Sequence, residues 1–193
     1  MNRKYLILPA ALVVAAAVVA AVQLWPSPLK DLRARNLCLG MLTKKTAGLL
    51  NDGNGGRLTV DEETADGSAS KASDPVFSTI CFVNRDPEGD AADRLQYTLD
   101  VRPTDTLNKP AKDATPVGGG QSGWIGPRQS EVQLPASCAR PMGTSAPHVT
   151  VTLKIAPGVL VKENWDTAAL ISKSRTILLE GIDNLTEQYD CTA

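Results

Sequence analysis

The sequence predicts an α+β domain behind an N-terminal membrane segment: an antiparallel sheet of four or five strands, covered on one face by a long C-terminal helix and held by two disulfides. Three observations carry this expectation. Leu95, Tyr97, Leu99 and Val101 alternate with Gln96, Thr98, Asp100 and Arg102, and Val149, Val151, Leu153 and Ile155 repeat the pattern, the period-two signature of strands with one buried face. Ile171, Leu178, Ile182, Leu185 and Tyr189 recur at helical spacing and form one apolar stripe. The four cysteines, Cys38, Cys81, Cys138 and Cys191, are widely spaced, with no CxxC pair or His/Cys cluster of the kind that holds a metal.

The first element is the apolar run from Tyr5 to Trp25, preceded by Arg3 and Lys4. As a helix it would be about 31 Å long, the thickness of a bilayer core. It reads as a transmembrane anchor over residues 1–25. A cleaved signal peptide is the competing reading, because Val18, Val19, Ala20 or Val19, Ala20, Ala21 offers small residues for cleavage. Residues 26–36 form a juxtamembrane stalk and residues 37–193 the domain. Flanking charge does not orient the segment, since Arg3 and Lys4 on one side face Lys30, Arg33 and Arg35 on the other. The cysteines do, because disulfides persist in oxidising compartments. The domain is therefore expected outside the cytoplasm, tethered through residues 5–25 or secreted after cleavage.

Next, Thr43 can cap a short helix through Leu50, which the Asn51, Asp52, Gly53 run ends. Strands are expected at Arg57 to Thr64, Val76 to Asn84 and Arg94 to Arg102, the last two joined by the turn sequence Asp86, Pro87, Glu88, Gly89, Asp90. Residues 65–75 and 103–130 have linker composition, the second holding four prolines and five glycines, and are expected to be flexible loops outside the core. Glu131 to Leu134 and His148 to Ala156 follow as strands. Asn164 or Asp166 then caps the final helix, in which Gly181 is a weak point worth about 1 kcal/mol. Four cysteines allow three connectivities, and chain order favours Cys38 with Cys81 and Cys138 with Cys191.

Composition narrows the function. Beyond residue 25, with Arg3 and Lys4 set aside, 18 of the 20 basic side chains remain against 21 acidic ones, a net charge of −3 with no concentrated patch. Nucleic acid is not an expected partner. Gly118, Gly120 and Gly123 match GxGxxG by letter, but the fingerprint needs a strand before it and a helix after it, and here Pro116 precedes and Trp124, Ile125, Gly126, Pro127 follow. Ser68 and Lys71 spell SxxK inside a small, polar stretch that lacks its partner motifs. The run from Asn51 to Gly56 puts glycine where a calcium loop needs ligands. His148 is the one histidine, with no nucleophile identifiable nearby, and the acidic run of Asp61, Glu62, Glu63 and Asp66 reads as an exposed strand end. No catalytic residue, cofactor or metal site is assigned. Trp124 and Ile125 stand out as large apolar residues in a polar stretch, either folding back over the sheet, the favoured reading, or remaining exposed as contacts for a partner.

The layout resembles that of uncharacterised exported or single-pass membrane proteins of actinobacteria. The resemblance rests on the Cys-Leu-Gly-Met-Leu-Thr run at residues 38–43, Ile80-Cys81-Phe82-Val83 on a strand, and a terminal helix closing on Cys191. Many of those proteins are lipoproteins, and this chain has no lipobox cysteine, its first being Cys38. The resemblance implies an envelope location and transfers no functional residue. The expected function is a non-catalytic binding or structural module that engages an envelope protein or a small ligand. A hydrolase using carboxylates and an accessory subunit of a membrane complex are the alternatives.

Overall fold

Thr43 sets the first helix. Its hydroxyl accepts from the Thr46 amide at 3.3 Å and starts α1, Lys44–Ala47, a single turn that ends at Gly48. This belongs to a computed structural model that describes residues 32, 35–66, 77–87, 92–164 and 166–191. The membrane or signal segment at 5–25 and most of the loop at 65–75, Ser68 and Lys71 included, lie outside the described residues. Among the described residues, no helix is long and apolar enough to cross a membrane.

Among the described residues, seven strands follow: β1 (Arg57–Asp66), β2 (Phe77–Asp86), β3 (Arg94–Thr104), β4 (Thr115–Gly118), β5 (Gln121–Ile125), β6 (Gln129–Gln133) and β7 (His148–Ile155). They form one sheet in the order β1-β2-β3-β7-β6-β5-β4, and every neighbouring pair is antiparallel. The first three strands are one meander and the last four another. Residues 105–114 carry the chain from β3 to the far edge, and β7 returns to lie between the two halves. Buried on both faces along most of its length, β7 is the central strand.

The sheet thus has seven strands where four or five were expected. The difference arises within residues 103–130, which the sequence presents as a flexible linker and which form β4, β5 and the start of β6. Each feature that suggested a linker has a place in an edge hairpin. Pro116 sits on the edge strand β4, where a missing N–H costs no ladder bond. Gly118, Gly119 and Gly120 turn the hairpin with φ of 83°, 65° and 77°. Val117 and Ile125 join the core.

On β3 the apolar positions Tyr97, Leu99 and Val101 are buried as expected, but Asp100 on the face expected to be wet is buried too, and the alternation fails at the start of the strand, where Leu95 is exposed and Gln96 is buried. Consecutive residues Val83 and Asn84 of β2 pair with Tyr97 and Leu95, so Gln96 is the extra residue of a bulge on β3 and the facing of the chain changes there. On one face, Leu99 and Leu153 lie side by side across β3 and β7, and Val101, Val151 and Val132 form the next row. This is the core face.

The helices cover that face. A short helix that the sequence reading lacked, α2 (Pro157–Lys162), follows β7 directly with Pro157 in its first turn, and it buries Val159 and Leu160. The long helix α3 (Thr167–Gln188) starts at Asp166, whose carboxylate accepts from the amides of Ala168 and Ala169. Its buried face carries Leu170, Ile177, Leu178, Ile182 and Leu185, whereas Ile171 and Tyr189 of the expected stripe are half-buried flanks. The disulfides are Cys38–Cys81 and Cys138–Cys191, with Cα separations of 5.4 and 4.8 Å. The first ties the segment before α1 to β2, and the second ties the end of α3 to the short 3-10 turn Ala136–Cys138.

Candidate functional site

The face of the sheet that bears Trp124 and Glu131 carries an open cleft that reaches to Thr167 at the start of α3. Here the strap of residues 105–114 crosses β5 and β6, fastened at Asn108. Its amide and its side-chain Nδ2 donate to the two oxygens of Glu131, at 3.0 and 2.5 Å, while its carbonyl accepts from the Trp124 indole at 3.1 Å. Trp124 and Glu131 are direct neighbours across β5 and β6, which explains why one strap residue can hold both. Glu131 is fully buried and Trp124 is 7% exposed.

That close pairing depends on Gly123. Its φ is 149°, and a Cβ built there would lie 2.4 Å from the Glu131 carbonyl oxygen, inside any tolerable contact. Only glycine lets the two backbones approach so closely.

Two clefts flank the strap, and both share Asn108 and Trp124. The larger, about 640 Å³, has Trp124 and Pro127 as apolar lining and Lys109, Asp113, Arg128 and Gln129 as polar groups. The smaller, about 390 Å³, is more apolar and is lined by Leu107, Pro110, Pro116 and Trp124 among others. A concave site with a few convergent polar groups over an apolar floor suits a small polar molecule. Gln129 offers both a donor and an acceptor, and the charged groups add two cations and one anion.

The structure places Trp124 and Ile125 on β5, with Ile125 wholly buried in the core and Trp124 forming a shared wall of the clefts. Both residues belong to a strand of the sheet instead of folding back over it, and Ile125 offers no surface to a partner. The remaining cleft residues left no trace in the sequence, because isolated Asn, Lys, Asp and Arg in a turn-rich stretch look like solvated loop.

Other sequence candidates fall apart in space. Asp61, Glu62 and Glu63 are exposed on β1, where alternation turns Glu62 away from the other two. Glu62 accepts from the Leu39 amide at 2.7 Å. His148 opens β7 opposite Thr104 at the end of the sheet and is not among the residues that line either cleft. In the Asn51 to Gly56 run, Asp52 is engaged by Arg94 Nε at 2.7 Å. Burial pushes the Asp52 carboxyl up, and hydrogen bonds from Arg94 and the Asn54 amide outweigh it, leaving a pKa of about 2. Among the described residues, no three His, Cys, Asp or Glu side chains converge as metal ligands. Comparison of the chain with protein-family models, with curated proteins and with solved structures finds no match.

Proposed function

We propose that this chain is an extracytoplasmic domain, anchored by its N-terminal segment or released after cleavage, that binds a small polar component of the cell envelope without converting it. The observation that carries the reading is the cleft of about 640 Å³ over Trp124. Its wall is prebuilt, because Asn108 ties strap, indole and buried carboxylate together through three hydrogen bonds. Two disulfides support an oxidising compartment, and the resemblance to exported actinobacterial proteins points to the same place.

Saturation-transfer NMR of the full chain against a panel of envelope-derived sugars, amino acids and short peptides tests this. One class is expected to bind. Gln129→Ala and Lys109→Ala should each weaken it about fivefold, near 1 kcal/mol for a lost hydrogen bond, without changing Tm. Absence of binding across the panel, or binding that survives both substitutions, overturns the reading.

A further inference from the structure

The two edges of the sheet are built differently. Edge strand β4 is four residues long, contains Pro116 and has an irregular register with β5. Edge strand β1 is ten residues long, contains no proline and pairs with β2 in unbroken register from Arg57 to Asp66. Short, proline-bearing or bulged edges resist pairing with any strand, whereas a long regular one offers every second N–H and C=O, and charged side chains on it, as on β1, turn away strands of like charge. Among the described residues, β2 is the one strand that pairs with β1.

The side chains define what could pair. Asp61 and Glu63 share one face of β1 and are exposed, and Asn84 Nδ2 donates to Asp61 from β2 at 3.0 Å. On the other face Leu58 and Val60 are half-buried and pack against the core, and exposed Glu62, the next residue on that face, is taken up by the Leu39 amide at 2.7 Å. A second copy of this edge is a poor partner: antiparallel pairing about its middle would set carboxylates opposite carboxylates, and like charges directly opposite destabilise a ladder. A strand with basic residues at alternate positions would instead meet Asp61 and Glu63, while its intervening apolar residues would extend the cover over Leu58 and Val60.

We propose that the outer edge of β1 accepts an extended, alternately basic and apolar segment of a partner protein as an eighth strand of this sheet. Backbone pairing provides the contact, and the carboxylates select its charge.

Hydrogen exchange read by mass spectrometry on the full chain at low salt tests this, with a decapeptide of alternating Lys and Val and a matched Glu and Val peptide as probes. The Lys peptide should slow exchange several-fold in residues 57–66, and the Glu peptide should not. Asp61→Lys with Glu63→Lys should abolish the effect and transfer it to the Glu peptide. Asp61→Asn with Glu63→Gln, which keeps side-chain size, should weaken it at unchanged Tm. The proposal is overturned by no protection, by equal protection from both peptides, or by protection confined to other strands. Protection that grows with protein concentration alone would assign the edge to a second copy and overturn it too.

Discussion

At the scale of single residues, polar groups brought in from distant elements fasten the loops. Asp52 is held by Arg94 of β3, its own amide donates to Gln96 Oε1 at 2.7 Å, and Arg94 also reaches the Gly55 carbonyl. Its folded pKa of about 2 lies below the ordinary 3.8, so the stability it contributes is complete above pH 4 and is lost as pH falls through about 2. Asp52→Asn should therefore unfold at lower urea than the wild type at pH 7, with the gap closing between about pH 4 and pH 2. Glu180 of α3 works similarly on α1, accepting from the Thr43 amide at 2.7 Å and from the Thr46 hydroxyl. Burial pushes the Tyr97 phenol well above its usual range, the Glu180 charge adds to this, and the hydroxyl donates to the Ala47 carbonyl at 3.0 Å. An absorbance titration should show Tyr97 ionising only as the alkaline chain unfolds. None of these partnerships was legible beforehand, because each joins positions 39 or more residues apart and sequence patterns report local periodicity. Trp124 was legible, as bulk apolar surface needs an explanation wherever it sits.

At the scale of elements, periodicity revealed what packing decides and missed what turns decide. Strands β2, β3 and β7 and helix α3 carry extended apolar patterns and appear close to where those patterns put them, and β1 was placed from a short one, Leu58 and Val60. The hairpin of β4 and β5 carries none, since its short strands are punctuated by Pro116, Gly118 and Gly123. Two glycines show the contrast. Gly181 sits inside α3, where an added Cβ would meet Met41 and Leu42 atoms at 3.8 and 3.9 Å, ordinary contact distances. Gly181→Ala should raise stability by about 1 kcal/mol through helix propensity, seen as a higher urea midpoint. Gly123 has no such room. Gly123→Ala should separate β5 from β6, lower Tm and loosen Trp124, which intrinsic fluorescence would register as a shift to longer wavelength.

At the scale of the whole molecule, two disulfides and one sheet hold the chain together. The bridge from Cys138 to Cys191 closes 53 residues and the bridge from Cys38 to Cys81 closes 43. In the chain-entropy model each is worth about 4 kcal/mol. Replacing Cys138 and Cys191 by Ser should lower the urea midpoint accordingly and release the last turn of α3, which exchange at residues 185–191 would reveal. The cysteine count made both bridges legible, and chain order suggested their pairing. The order of strands was not legible, since alternation says which face is wet and not which neighbour lies alongside. That order has a consequence for how the chain is made. The strand in the middle of the sheet, β7, is the last to be synthesised, so a chain emerging N-terminus first presents two unfinished half-sheets, with β3 and β6 both bare. Until His148 to Ile155 arrives, the newborn protein has twice the sticky edge of the mature one.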